Sequence, residues 1–208
     1  GANNTGLGRA ALAANTTASD NTAVGYFAGV AITTGTSNNL IGSLSGDALT
    51  TGSFNQTLGV AALSSDTTGN RSVAIGHGAL LTQNFTSSTD VYNIAIGHNA
   101  GLAVTTGVQN TLIGALAGDA LVDAHFNTAV GYQALSTDTE SNYNTAIGYR
   151  ALLTANNTSS TNSYNVAVGA DAGQDITTGT FNTLIGGLAG DAITTGTENT
   201  LIGHNSTA

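Results

Sequence analysis

The side chains that could carry acid–base or metal chemistry are few in this sequence, and their spacing does not build a site. The chain has 208 residues, with four histidines, twelve acidic residues and no cysteine. Asp47, Asp119 and Asp191 each follow a glycine, but they are far apart in sequence, and the Gly-Gly-x-Gly-x-Asp pattern of calcium-binding repeats is absent. The histidines lack the His-x-x-x-His and Glu-x-x-His spacings of zinc sites. We therefore predict that the chain is not an enzyme and holds no metal or cofactor.

Pairs of adjacent threonines are the first candidate binding surface. Regularly spaced threonines on a flat, nearly uncharged face resemble the design of ice-binding proteins. Neighbouring side chains of an extended segment point in opposite directions, however, and the glycine that follows each pair indicates a turn. A ladder of turns is therefore the favoured interpretation, and ice binding is the alternative. The candidate threonines are Thr33, Thr34, Thr50, Thr51, Thr67, Thr68, Thr105, Thr106, Thr177, Thr178, Thr194 and Thr195.

Aromatic and histidine side chains form two partial columns. Tyrosine and histidine on a weakly charged rod can stack on sugars or contact a protein receptor, whereas the competing interpretation places them at a coil edge or between chains. The column that directly follows a recurrent glycine is the candidate surface-binding stripe, and it contains Tyr26, His77, His98, Tyr132, Tyr149 and His204. The column that directly precedes a recurrent asparagine contains Phe54, Tyr92, Phe126, Tyr143, Tyr164 and Phe181.

Asparagine recurs four residues before this recurrent glycine. Ser72 stands in its place in one repeat. Asparagine side chains hydrogen-bond their own turns and stack as ladders, so we predict a structural role for this column. Besides Asn4, the predicted ladder contains Asn21, Asn38, Asn55, Asn93, Asn110, Asn127, Asn144, Asn165, Asn182 and Asn199.

All of these columns follow from one repeat that fills residues 1–208, which we therefore treat as a single repeat domain. Its recurrent glycine, called the anchor glycine below, returns with a period of 17, interrupted by two spacings of 21. Four repeats form a longer unit, because LIGSLSGDAL at 40–49 returns as LIGALAGDAL at 112–121. The anchor glycines are Gly8, Gly25, Gly42, Gly59, Gly76, Gly97, Gly114, Gly131, Gly148, Gly169, Gly186 and Gly203.

The pattern inside each repeat predicts an all-β parallel solenoid, or β-roll, of about twelve coils. The apolar segments are short and β-branched, and the period of 17 is not helical. Leucine four residues after the anchor glycine, as at Leu63, accompanies a polar or small residue at position seven, as at Asp66. Glycine at position four, as at Gly29, accompanies an aliphatic residue at position seven, as at Ile32. This exchange indicates a packed interior of constant volume.

The strand itself predicts association between chains. The two residues before the anchor glycine are both apolar in most coils, as in Ala23 and Val24. Because successive side chains of a strand point to opposite faces, a strand that is apolar on both faces is usually buried on both. A coil this short has one thin interior, so we predict that the second face meets another copy in a parallel homo-oligomer.

Composition excludes several functions. The formal net charge is -9 with only three cationic side chains, so no basic surface is available for nucleic acid. No apolar run approaches the roughly 20 residues that span a bilayer, and no signal peptide opens the chain. We predict neither nucleic-acid binding nor direct membrane insertion.

The repeat resembles known fibre repeats. The segments NTAVGYFA at 21–28, RSVAIGHGAL at 71–80 and NTAIGYRAL at 144–152 are similar to the head repeats of trimeric autotransporter adhesins (YadA-like), and still more to repeats of bacteriophage tail fibres. The resemblance covers all twelve coils. It implies a β-roll, left-handed in the adhesin heads, and a parallel homotrimer. It also implies an extracellular place on a virion tail fibre or bacterial surface, and a partner that is a host cell-surface glycan or protein.

Other functions remain open at this point. The longer coil of this chain, with its Thr-Thr-Gly turn, differs from the adhesin head. A glycan-cleaving fibre would need two carboxylates about 5 to 10 Å apart, and Asp119 and Asp123 are neighbouring acids of this kind. The expected function is a stiff attachment rod, with an ice-binding solenoid as the alternative.

Overall fold

The computed structural model describes residues 1–157 and 159–207, and its regular structure there consists of β-strands. Twelve strands of three residues, one in each coil, form a single parallel sheet in chain order. This architecture confirms the predicted parallel β-solenoid of twelve coils. The strands are β1 (Thr5–Leu7), β2 (Thr22–Val24), β3 (Asn39–Ile41), β4 (Gln56–Leu58), β6 (Val73–Ile75), β8 (Ile94–Ile96), β9 (Thr111–Ile113), β10 (Thr128–Val130), β12 (Thr145–Ile147), β14 (Val166–Val168), β15 (Thr183–Ile185) and β16 (Thr200–Ile202).

The two longer coils add two small sheets without disturbing the main one. β5 (Gly69–Asn70) pairs with β7 (Thr89–Asp90), and β11 (Ser141–Asn142) pairs with β13 (Thr161–Asn162). Across these coils the main sheet keeps its register, since Val73 still lies opposite Ile94. The four extra residues are therefore absorbed outside the main sheet.

The anchor glycine is required by backbone geometry. Gly131 has a φ of +135°, a region that favours glycine, and a Cβ on it would overlap the carbonyl oxygen of Gly148 in the next coil. The other anchor glycines have φ between +126° and +153°. Because the coils stack directly, each glycine leaves room for the backbone of the following one.

The interior is one thin apolar core that runs along the whole stack. In the second coil, Ala23, Ala28 and Ile32 are completely buried. Where the coil carries leucine at position four, that leucine fills the same space, as Leu63 does above a buried Asp66. Where position four is glycine, a Cβ would meet the core, as at Gly29, where it would lie 2.7 Å from Cδ1 of Leu40. The interior thus accepts one large side chain per coil from either position.

From β2 to β16, each main strand turns its middle side chain inward and the two flanking side chains outward. The middle residue, such as Ala129, is buried, whereas Thr128 and Val130 on either side of it are partly exposed. The outward residues of all twelve strands form one long surface, which we call the sheet face. No second layer of this chain covers the sheet face within the described residues, so its apolar side chains meet solvent in the isolated chain.

Candidate interaction surface

The asparagines four residues before the anchor glycines form a buried hydrogen-bonded column. Nδ2 of Asn38 donates to the carbonyl oxygen of Gly52 at 2.9 Å, and its Oδ1 accepts the backbone N–H of Asn55 at 2.9 Å. The same two bonds recur along the stack, for example at Asn165 and Asn182. A side chain that makes both bonds ties a strand entrance to a turn and to the next coil. These amides are used inside the fold and are not available to a ligand.

The threonine pairs also use hydroxyl groups for hydrogen bonds between coils. Oγ1 of Thr33 donates to the carbonyl oxygen of Thr50 at 3.2 Å, and Oγ1 of Thr50 donates to that of Thr67 at 3.0 Å. The first threonines at 105 and 177 make the equivalent bond. The second threonine, such as Thr34 or Thr51, is exposed at the corner of the coil. The pairs therefore do not present two matching rows of free hydroxyls.

Exposed large apolar side chains are concentrated on one side of the rod. Of the seventeen in the described part of the chain, sixteen lie directly before the anchor glycine, directly after it, or five residues before it. Val122 is the remaining one. The sixteen are Leu7, Ile41, Leu58, Ile147, Ile185 and Ile202 before the glycine, Tyr26, Val60, Tyr132 and Tyr149 after it, and Phe54, Tyr92, Phe126, Tyr143, Tyr164 and Phe181 five residues before it.

These three positions border or belong to the sheet face. The position directly before the anchor glycine is the last outward residue of each strand, and we call it the aliphatic column. The position five residues before the glycine lies where the coil enters the sheet, and we call it the Phe/Tyr column. The position directly after the glycine lies where the coil leaves the sheet, and we call it the Tyr/His column. The apolar surface therefore extends across the sheet face to both of its edges.

The Phe/Tyr column is a stack of rings. Phe126 stacks on Tyr143 with ring centroids 4.8 Å apart, Tyr143 on Tyr164 at 4.8 Å, and Tyr164 on Phe181 at 5.6 Å. Their exposed fractions range from 37 to 53%. Because the faces of the inner rings cover one another, the column presents ring edges to its surroundings.

The Tyr/His column is stacked in two places. The His77 and His98 rings lie 5.3 Å apart, and the Tyr132 and Tyr149 rings lie 5.7 Å apart. Tyr26 stands apart from these pairs and is approached by the guanidinium of Arg9 at 5.6 Å. The structure thus groups part of the predicted stripe and leaves Tyr26 and His204 as separate members.

The outward residue at the start of each strand is often threonine, a feature that we did not select from the sequence. In seven coils this residue is Thr5, Thr22, Thr111, Thr128, Thr145, Thr183 or Thr200. Asn39 and Gln56 occupy it in two others, where Nδ2 of Asn39 donates to Oε1 of Gln56 at 2.7 Å. The sheet face itself carries no charged side chain at its two outward columns. Counting alternate residues back from the anchor glycine is the signal that would have found it.

The two acidic side chains singled out in the sequence, Asp119 and Asp123, accept hydrogen bonds from hydroxyl groups of neighbouring coils. Oδ1 of Asp119 accepts a hydrogen bond from Ser136 at 2.6 Å, and Oδ1 of Asp123 accepts one from Thr106 at 2.8 Å. Burial raises the pKa of Asp119 and, in the core, that of Asp138. Among the described residues, no group of three or more histidines or carboxylates is placed to hold a metal ion.

The fold and this surface define the protein as a parallel β-solenoid repeat protein with one long uncovered apolar side. Comparison with known protein families, with curated proteins and with solved structures found no match. In the described residues, no helix is long and apolar enough to cross a membrane.

Proposed function

We propose that this chain is the structural and attachment segment of a fibre, in which three parallel copies pack through their sheet faces into a stiff rod. The observation that carries the proposal is the concentration of exposed apolar side chains on one side of the solenoid. The number of chains comes from the resemblance to the repeats of trimeric fibres. A rod of this kind serves to hold a host-binding surface or tip at a distance from a virion or cell.

The size of the apolar surface supports association. With coils about 4.8 Å apart and edges up to about 20 Å apart, the whole sheet face with its two edges covers up to roughly 1,000 Å², including its polar threonine column. The largest apolar patch on a typical soluble monomer is about 300 to 600 Å², and each partner in a standard interface buries about 800 Å². Covering such a surface with another copy would remove it from water, which is favourable.

Attachment to a host surface is the second part of the proposal. The sequence resemblance supports an extracellular fibre whose partner is a host glycan or protein. The exposed Tyr/His and Phe/Tyr columns are the aromatic groups that such a partner would contact wherever the assembled fibre leaves them accessible. Binding of the purified chain to host cells and to glycan arrays tests this part separately from the oligomeric state.

The first experiment is the absolute mass of the chain in solution, measured by light scattering across a dilution series. We expect a mass near three times the 20.5 kDa of one chain, independent of concentration. A chain that stays monomeric throughout the series would contradict the proposal.

A matched pair of substitutions locates the contact. Ile147 in the aliphatic column and Val122 outside the three columns are similarly exposed, at 39 and 36%. We expect Ile147→Glu to weaken the oligomer, because it places a charge in an apolar contact, and Val122→Glu to leave the mass unchanged. Circular dichroism of both variants verifies that the solenoid is intact. Equal effects of the two substitutions would show that the sheet face is not the contact.

Ice binding is a second candidate that one observation favours. The sheet face carries threonine and aliphatic columns side by side, without charge, on twelve regularly spaced strands. This arrangement provides a better plane for ordered water than the Thr-Thr turns, where the first hydroxyl of a pair, as in Thr33 and Thr50, bonds to the backbone. A monomeric chain that shapes ice crystals, and that loses this effect in Thr128→Lys, would establish it in place of the fibre.

A further inference from the structure

We infer that the Phe/Tyr column of one chain packs against the Tyr/His column of its neighbour, so that the two aromatic edges form a seam between copies. The inference rests on the proposed parallel association and goes beyond it by assigning which edge meets which. It also gives the Tyr/His column a partner of defined chemistry, namely a second copy of this chain, so the proposed host contact falls to the aromatic side chains that the seam leaves exposed.

The pairing of unlike edges follows from symmetry. In each chain the Phe/Tyr column lies where the coil enters the sheet and the Tyr/His column where it leaves. A rotation axis parallel to the rods relates parallel chains, so all strands run in the same direction around the axis. The Phe/Tyr column of one chain therefore comes beside the Tyr/His column of the next. A two-fold axis perpendicular to the rods would bring like edges together instead.

The residue types at the two edges correspond in five of the twelve coils, whereas Asp20 with Tyr26 and Gln109 with Ala115, for example, do not correspond. The two edge residues of one coil lie six positions apart in sequence, one before and one after its three-residue strand. Their characters correspond in Tyr143 with Tyr149 and in Ser37 with Ser43. The other corresponding pairs are Phe54 with Val60, Phe126 with Tyr132, and Glu198 with His204. A seam between chains brings such pairs to the same level.

Two other coils pair a large ring with a small residue instead. Tyr164 and Phe181 are large rings in the Phe/Tyr column, and the residues at the other edge of their coils are Ala170 and Gly187. A large ring opposite a small residue fills an edge contact without overlap.

One coil carries two basic side chains, and the structure neutralises one of them within the chain. Arg71 and His77 occupy the two edges of the fifth coil. Nε of Arg71 lies 3.1 Å from Oδ1 of Asp90, and its guanidinium lies 4.8 Å from the centre of the Phe54 ring. The arginine charge is therefore balanced before any neighbour approaches, and the coil remains compatible with the seam.

Disulfide trapping tests the seam on a chain that has no cysteine of its own. Tyr143→Cys combined with Tyr149→Cys places one thiol at each edge of the ninth coil. We expect oxidation to convert this double variant into a covalent trimer, seen on non-reducing gels at three times the mass of one chain. Tyr143→Cys combined with Tyr132→Cys or with Ala170→Cys samples a seam shifted by one coil in either direction.

The controls separate the seam from the oligomer itself. Each single variant should remain monomeric on the gel, because like edges do not meet. Tyr143→Cys combined with Asp175→Cys carries the same number of thiols, with one at an exposed site outside the three columns, and should give no covalent trimer. Light scattering of every reduced variant verifies that the trimer forms.

Each outcome decides one of the two proposals. A trimeric mass with cross-linked dimers from a single variant, or with no cross-link in any of the three registers, would overturn the seam and leave the fibre proposal standing. A monomeric mass for the unmodified chain would overturn the fibre proposal, and the seam with it.

Discussion

Oδ2 of Asp66 accepts a 2.6 Å hydrogen bond from Nε2 of Gln83, and both side chains are completely buried in the solenoid interior. The same Nε2 also donates to Oγ of Ser72 at 3.0 Å, while Oε1 accepts from Asn93 at 2.9 Å. Gln83 therefore occupies the gap left where serine replaces asparagine in the buried column. A buried carboxylate in an apolar core depends on such donors.

The equivalent site in the next four-coil unit solves the same problem differently. Asp138 is again buried, but alanine stands at position 155, and the asparagine column is complete with Asn144. Nδ2 of Asn144 lies 3.5 Å from Oδ2 of Asp138, and the backbone N–H of Ser141 donates to Oδ1 at 3.1 Å. Serine with glutamine at one site thus corresponds to asparagine with alanine at the other.

Exchange of one arrangement for the other gives the first prediction. Gln83→Ala should lower the free energy of unfolding by about 1 to 3 kcal/mol, because it removes a donor from a buried carboxylate. Adding Ser72→Asn should recover a large part of this loss, since it recreates the Asn144 arrangement. Urea unfolding measures both variants, and Thr34→Ala at an exposed site outside the three columns should change the value by less than about 0.5 kcal/mol. Strictly additive effects of the two substitutions would refute the compensation.

The second prediction concerns pH. Burial raises the pKa of Asp138 above its ordinary value, and hydrogen bonds from Ser141 only partly oppose this. The folded chain therefore binds more protons than the unfolded chain between the two pKa values, so this group's contribution to the free energy of unfolding falls as the pH rises through that range. Acidification from neutral pH to about pH 4 should stabilise the fold through this residue.

Asp138→Asn tests the pH prediction directly. The variant carries no titratable group at this position, so it should gain less stability on acidification than the unmodified chain. Asp119, whose pKa is also raised by burial, leaves a residual effect in the same direction. Asp175→Asn at an exposed site serves as the control. A larger loss of stability on acidification in the unmodified chain than in Asp138→Asn would contradict the expected sign.

The third prediction separates backbone strain from collision at the anchor glycines. Gly131→Ala combines an unfavourable φ with overlap of the Gly148 carbonyl oxygen, whereas Gly203 has a similar φ of +126° and nothing within 4 Å of an added Cβ. We expect Gly203→Ala to cost about 1 to 3 kcal/mol and Gly131→Ala to cost more. Thermal and urea unfolding compare them. Equal costs would mean that contact between coils contributes nothing at this position.

The fourth prediction uses the exchange between positions four and seven of a coil. Leu135→Gly should cost about 3 to 5 kcal/mol, because it leaves a cavity beside Asp138. Asp138→Leu in the same chain recreates the glycine and aliphatic pair seen at Gly118 and Leu121, so the double variant should regain part of that stability. A double-mutant cycle measures the coupling, which we expect to exceed about 1 kcal/mol. A coupling near zero would show that the two positions do not share one space.

The sequence alone was sufficient for the fold because the coils stack in register. Once a residue lies directly above the one a full period earlier, every column becomes a line of contacts, as in the pairing of Ala23 with Leu40. The sequence alone therefore identifies several columns. They are the anchor glycines, the asparagines four residues before them, and the exchanging positions of Leu63 and Asp66.

Only the tertiary structure decided which columns border the same surface and which polar groups are free. Tyr143 enters the sheet with a φ of +61°, a conformation that tyrosine does not signal in sequence, so the direction of this corner had to come from the folded backbone. The hydroxyl of Thr33 and the amide of Gln83 likewise had partners in other coils, set by the path of the turns. A strict period determines what lies above and below a residue, whereas its neighbours around the coil depend on how each turn closes.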